Sequence, residues 1–369
     1  MQLQQALAAQ YVLIQTIKQE EQIDQRILDA FLHIPRHLFV AEFYERVPDK
    51  KRVAWRQRKQ IEIQEETWLQ LIYRDIALTT RLDANGFPGS SSSMPSIMAA
   101  MLQALQVKQG QRVLEIGTGT GYNAALLAYL VGDSHLVTTI DVDAELVKLA
   151  EPAITRCIGP GMTIIGGDGL QGVERNAPYD RIIATGSYPG VPRAWLDQLA
   201  PGGLLLMNLQ RNLANIMLLL KKDGQGAIAG KILPLKASFM PLHDGTGAYY
   251  RCPVPHEPIE PILQELSSPP SFQPANLSHK EFGFFLQCHL PQARRSTYAD
   301  FQYLEDPATR RLIQFYHGTV RGSQSLWQEL QAIDKDYRML GCPKRQDFSC
   351  EISATHQHII TYKDRCWII

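Results

Sequence analysis

No part of this sequence restricts its fold as tightly as VLEIGTGTGYN, from Val113 to Asn123. A short apolar run ends in Glu115, and glycines stand at 117, 119 and 121 before a helical pattern begins. Glycines placed there allow a tight turn and let a ligand approach the backbone N–H groups at a helix N-terminus. The flanking text has the matching texture. PSIMAAMLQAL, GYNAALLAYLV and AELVKLAEPAITRC carry helical patterning, RVLEIG, LVTTID, MTIIGG, DRIIAT and LLLMNL read as strands, and a short helix is expected near RAWLDQLA. Continuously apolar strands alternating with helices predict an α/β fold, a mainly parallel Rossmann-like sheet with helices on both faces. At NIMLLLKKDGQGAIAGKILPL the pattern changes to a hairpin turning at Asp-Gly.

The glycine spacing narrows the ligand. Dinucleotide sites carry G-x-G-x-x-G, whereas this chain has G-x-G-x-G and lacks the Lys-Ser/Thr pair of a phosphate-cradling loop. An acid at 115 repels a pyrophosphate and suits a ligand with a cationic amino group, which favours S-adenosylmethionine over NAD. The next strand ends at Asp141, placed to accept from both ribose hydroxyls; its alternative role is a helix N-cap, because DVDAELV opens a helix. Asp168, in GGDG, is placed to accept from the exocyclic amine of adenine, or else belongs to a simple turn.

Composition bounds the partners. Basic and acidic residues balance at 37 each and the pI is about 7.1, which gives no electrostatic reason to expect nucleic acid or an anionic membrane. The opening MQLQQALAAQYVLIQTIKQEEQ has no cationic region leading into a long apolar segment, and runs such as IMLLL are too short to span a bilayer, so a cytoplasmic protein is expected. Six scattered cysteines read as free thiols. No metal site is expected: Pro35 separates His33 from His37, and His356 and His358 read as exposed. There is no G-x-S-x-G elbow for a nucleophilic serine. Nothing fixes the oligomeric state.

Four regions are expected. Residues 1–80 read mostly as helix, with DKKRVAWRQRKQIEIQEE a solvated helix or an insertion; residues 81–250 form the Rossmann-like core. Residues 251–275 are a proline-rich linker, and 276–369 a small, separate α+β domain, with SLWQELQAIDKDYRMLG a helix and HQHIITYKDRCWII a closing strand or hairpin.

Taken together, VLEIGTGTGYN, IDVDAELV, GDG, APYDRIIATGSYPGVP and LDQLAPGGLLL, with IPRHLFV upstream, resemble the protein-L-isoaspartate O-methyltransferase family over about residues 22 to 245. SSSSMPS, SLWQEL and LGCP resemble a narrower branch, the methyltransferases associated with lanthipeptide and ATP-grasp peptide maturation. The resemblance implies a class I S-adenosylmethionine-dependent fold. It implies a cofactor site from Glu115, Ile116, Gly117, Thr118, Gly119, Gly121, Tyr122, Asp141, Val142, Gly167, Asp168, Gly169 and Thr185. It further implies that Ser93, two residues before Pro95, faces the acceptor carboxylate, with Ser92 as its nearest substitute. Ser93 as the N-cap of the next helix is the structural alternative. The implied activity is methyl esterification of an aspartyl or isoaspartyl side chain in a peptide or protein, collapsing to a succinimide. Peptide maturation is the narrower expectation and general isoaspartate repair its alternative. An NAD-dependent oxidoreductase and a non-catalytic peptide-binding module are the readings from other classes. The C-terminal region would grip a peptide, or else cover an apolar face of the sheet or mediate dimerisation.

Overall fold

The computed structural model describes residues 2–20, 23–47, 54–246, 249, 265–266, 277, 279–298, 301–316, 319–353, 355 and 357–369. Two helices open it, α1 (Gln2–Glu20) and α2 (Gln25–His33), the second stopping just before Pro35. Strands β1 (Glu42–Val47) and β2 (Ala54–Lys59) form an antiparallel pair; α3 (Glu65–Ile72), β3 (Leu78–Leu82) and β4 (Pro88–Ser92) follow. These strands make a four-stranded sheet in the order β2-β1-β3-β4. The expected helical region 1–80 thus also holds β1, β2 and the start of β3, and its sheet runs past residue 80 into the serine-rich segment. Charge hid the strand pattern: on the β1–β2 pair Arg58 bonds Glu45 across the strands, so charged side chains occupy positions that a period-two reading expects to be apolar.

The core then alternates: α4 (Pro95–Leu105), β5 (Val113–Ile116), α5 (Tyr122–Val131), β6 (Val137–Asp141), α6 (Ala144–Ile158), β7 (Thr163–Gly166), β8 (Tyr179–Tyr188), α7 (Arg193–Gln198) and β9 (Leu199–Leu209). Strands β7, β6, β5, β8 and β9 pair in parallel in that spatial order, so the winding reverses between β5 and β8. The crevice at such a reversal is where α/β sheets bind ligands. Successive residues on the strands serve opposite faces. Leu114, Ile182 and Leu205 join one apolar cluster, while Val113, Ile183 and Leu206 join the other with Phe31, Met101 and Leu126 from the helices.

The hairpin β10 (Ile216–Lys222) and β11 (Ile228–Leu233) continues the sheet antiparallel. Beyond it lie β12 (Glu265–Leu266), α8 (Lys280–His289), β13 (Arg294–Tyr298), β14 (Phe301–Asp306), β15 (Arg311–Tyr316), β16 (Thr319–Gly322) and α9 (Gln324–Met339). The chain ends in β17 (Ser349–Ile352), β18 (His358–Tyr362) and β19 (Arg365–Ile368). Strands β12–β16 form their own five-stranded sheet, but β17–β19 pair onto β11 and complete a ten-stranded central sheet. Phe284, Trp327 and Phe348 lie in the same apolar cluster as Leu114 and Leu205. The C-terminal region is therefore not separate: it lengthens the sheet and covers one of its faces. Apart from Glu265 and Leu266, the expected linker 251–275 lies outside the described residues, as does His356. His358 is buried, contrary to expectation, with Arg211 beside its ring. Among the described residues no helix is long and apolar enough to cross a membrane.

Candidate functional site

A cleft opens at the C-terminal ends of β5, β6 and β8, the place in an α/β sheet where cofactor sites form. Its floor is the glycine loop. Gly117 has φ +98, and a Cβ there would lie 2.5 Å from Thr185 Oγ1, so both conformation and space exclude a side chain. Thr185 in turn donates to the carbonyls of Ile116 at 3.1 Å and Gly117 at 2.8 Å, tying β8 to the loop. The Gly119 N–H donates to Asp141 Oδ2 at 2.9 Å, which ties the loop to the end of β6. Gly121 serves packing instead, since a Cβ there would meet Ile154 at 2.8 Å.

Three carboxylates line the cleft: Glu115, Asp141 and Asp168. Glu115 is fully buried and accepts from Asn123 Nδ2 at 2.7 Å and Thr139 Oγ1 at 2.6 Å. Burial dominates those bonds and pushes its carboxyl up to about 7. Burial also raises Asp141 above the usual carboxylate range. The helix-cap role open to Asp141 falls to Asp143, which accepts from the N–H groups of Glu145 and Leu146. Asp168 caps a short 3₁₀ turn by accepting from Leu170 N at 2.9 Å, so its turn role is realised within the cleft wall.

The opposite rim is the serine strand. Residues 89–93 all line the cleft. The N-cap of α4 is Met94, and the Ser96 N–H is taken by Asp75 Oδ1 at 2.8 Å, so Ser93 does not cap that helix. Among the described residues the Ser93 hydroxyl makes no hydrogen bond. Ser92, 1% exposed, accepts at Oγ from Arg36 Nε at 3.2 Å.

The cleft lining brings together Ser92, Ser93, Glu115, Ile116, Gly117, Thr118, Gly119, Tyr122, Asp141, Val142, Asp168, Gly169 and Thr185; Gly121 and Gly167 stand behind it. Among the described residues the lining holds three acids and neither lysine nor arginine. A pyrophosphate would meet uncompensated negative charge there, whereas a ligand bearing an amino group and a sulfonium fits. Sequence reasoning missed the fourth wall, Met240 to His243. It is held by Ser187, whose N–H donates to Met240 O at 2.8 Å and whose carbonyl accepts from Leu242 N at 2.9 Å. Arg36 was also missed, although it stands in a motif singled out upstream.

The family model described as Protein-L-isoaspartate(D-aspartate) O-methyltransferase (PCMT) matches residues 8–247. A protein-L-isoaspartate O-methyltransferase of Methanococcoides burtonii is 32% identical over 59% of this chain and 92% of its own length. Protein-L-isoaspartate O-methyltransferase 1 of Archaeoglobus fulgidus is 30% identical over 63% of this chain and 96% of its own. A solved structure named protein-L-isoaspartate O-methyltransferase superposes with a TM-score of 0.57 at 22% identity, covering 96% of this chain and 99% of that one.

Proposed function

Because the chain belongs to the protein-L-isoaspartate O-methyltransferase family, we propose that its acceptor is the isoaspartyl side chain of damaged proteins, esterified as a repair step. It is an S-adenosylmethionine-dependent enzyme that methylates isoaspartyl carboxylates of proteins or peptides. The observation that carries the repair reading is the meeting, in one cleft, of the glycine loop and Asp141 with an unbonded Ser93 hydroxyl. When bound, the cofactor supplies a methyl group made electrophilic by its sulfonium. Glu115, the close backbone of the glycine loop and Asp141 would hold it, with Asp168 and Thr185 along the wall.

The acceptor carboxylate is ionised at neutral pH, with a reference pKa of about 4, so no base is required. The chain's own residues must align its oxygen and keep water from it. Serine hydroxyls suit that task, because a cation in direct contact would stabilise the carboxylate and dull its oxygen as a nucleophile. The ester offers methoxide as a leaving group, and attack by the next backbone nitrogen on its carbonyl carbon releases methanol and gives a succinimide.

The peptide-maturation expectation leaned on the serine-rich segment and on the C-terminal region. In the fold Ser90, Ser91 and Ser92 stand on an antiparallel strand whose register against β3 shifts twice, and the C-terminal region covers and lengthens the sheet. A protein with the plain isoaspartate name shares the fold over 96% of the chain, well past residue 247. Both facts support repair. The test is mass spectrometry after incubation with S-adenosylmethionine. Repair requires a methyl ester on an isoaspartyl peptide and none on the same peptide with aspartate. Methylation confined to an aspartate in a constrained peptide would overturn it in favour of maturation.

A further inference from the structure

Arg36 is the most heavily bonded side chain near the cleft, and nothing in the reaction yet uses it. It sits between α2 and β1, is fully buried, and donates to six acceptors. Three are the carbonyls of Ile72, Arg74 and Ile76, in the segment that leads from α3 into β3. The other three belong to the serine strand: Ser92 Oγ at 3.2 Å, Ser92 O at 3.1 Å and Ser93 O at 3.0 Å. No carboxylate bonds the guanidinium among the described residues. Burial lowers it to about 10, so it stays charged at neutral pH.

That arrangement has a chemical consequence at the acceptor end of the cleft. A hydroxyl that accepts from Arg36 keeps its own hydrogen free to donate elsewhere, so Ser92 is held as a polarised donor. The two carbonyls drawn onto the guanidinium fix the backbone on which Ser93 stands. Among the described residues the lining carries three acids and no lysine or arginine, so, beside the bound cofactor's sulfonium, a positive charge behind the wall helps an incoming carboxylate past them. Arg36 supplies that charge at one remove, through Ser92, without the direct contact that would pin the nucleophile. Resting on the isoaspartyl reading above, we propose that Arg36 is a positioning residue of methyl transfer: it fixes Ser92 as a hydrogen-bond donor to the acceptor carboxylate and offsets the acidity of the cleft.

The test is a cycle of Arg36→Lys, Ser92→Ala and the double variant, each assayed for methylation of a short isoaspartyl peptide and for S-adenosylhomocysteine affinity by calorimetry. Lysine keeps the charge and has three donors for six acceptors. The expected result for Arg36→Lys is a loss of about tenfold or more in kcat/KM with cofactor affinity within about twofold. In the Ser92→Ala background the same change should cost about twofold or less, because the two act as one unit. A merely structural Arg36 would lower the melting temperature, give additive losses in the cycle and weaken cofactor binding; that pattern, or unchanged turnover, overturns the proposal. Should Arg36→Lys fail to fold, Ser92→Ala alone decides: wild-type turnover there removes the relay. A wild-type protein that binds cofactor but leaves the isoaspartyl peptide unmethylated overturns the functional reading itself, and the relay with it, whereas normal wild-type turnover beside an unaffected Arg36→Lys variant overturns the relay alone.

Discussion

The glycine-loop half of this molecule and its C-terminal region are built on one sheet but by different rules. In the first, each candidate site group sits within a few residues of the turn that places it: Glu115, Gly117 and Gly119 come from one strand-loop-helix unit, and Asp141 from the next strand. In the second, β17 finds its partner β11 more than a hundred residues upstream, across a five-stranded sheet and two helices. Local chemistry writes the cleft, and long-range pairing writes the rest. The cleft half should therefore fail through binding, and the C-terminal half through stability.

The largest expected effect tests that division. Phe348 is 1% exposed and packs edge-on to Phe284 at 5.1 Å, with Tyr362 and Trp367 on its other sides. Phe348→Ala should cost about 3–5 kcal/mol of stability, as large-to-small changes at buried aromatics do. Urea unfolding measures that loss, and calorimetry on the folded variant should return wild-type cofactor affinity. A variant that keeps its stability but loses cofactor would break the comparison, because the C-terminal region would then act on the cleft directly.

Legibility followed the same line. The strands and helices from Pro95 to Leu209, the loop and its acids were readable because each burial pattern and each turn residue is local. The N-terminal sheet was not, since cross-strand pairs such as Arg58 with Glu45 carry charge where alternation should show apolar residues. Helix α9 and the β18–β19 hairpin were visible as elements, but no local feature names β11 as the strand they extend. The burial of His358 follows from that pairing and was invisible for the same reason. The Met240–His243 wall is held by backbone bonds to Ser187, which any sequence can make. Arg36 stood in a quoted motif, yet its role depends on six acceptors in two segments well apart from it in sequence.

A second, smaller effect separates the halves by pH. His358 is held down to about 4, by burial first and then by Arg211. Its depressed folded value means that the unfolded chain binds the extra proton, so its contribution is complete above about 6.5 and is lost as pH falls toward 4. Glu115 does the reverse: raised by burial to about 7, its contribution is full below about 4.5 and is lost as pH rises through 7. Each amounts to about 3 kcal/mol at most, and between about 4.5 and 6.5 they oppose one another. Denaturant unfolding across that window should show Glu115→Gln gaining stability with rising pH and His358→Gln losing it. Parallel slopes in the two variants would mean that some other group governs the window.

The smallest effect is the one that most directly tests the cleft. Asp141 is tied by two backbone donors, Gly119 N at 2.9 Å and Asp143 N at 3.0 Å, so its carboxylate is oriented before any ligand arrives. Removing it should leave most of the fold's stability, since Asp143 and not Asp141 caps α6. It should also cost about 1–3 kcal/mol of S-adenosylmethionine binding, the penalty for leaving ribose hydroxyls without an acceptor. Asp141→Asn sharpens the assignment, because it keeps one acceptor oxygen while presenting donors where the ribose also donates. Asparagine should therefore recover the loop bond from Gly119 but only part of the affinity. If calorimetry gives Asp141→Ala the affinity of the wild type, Asp141 is a loop strut and the ribose lies elsewhere. If alanine and asparagine lose equally, the negative charge matters more than the geometry.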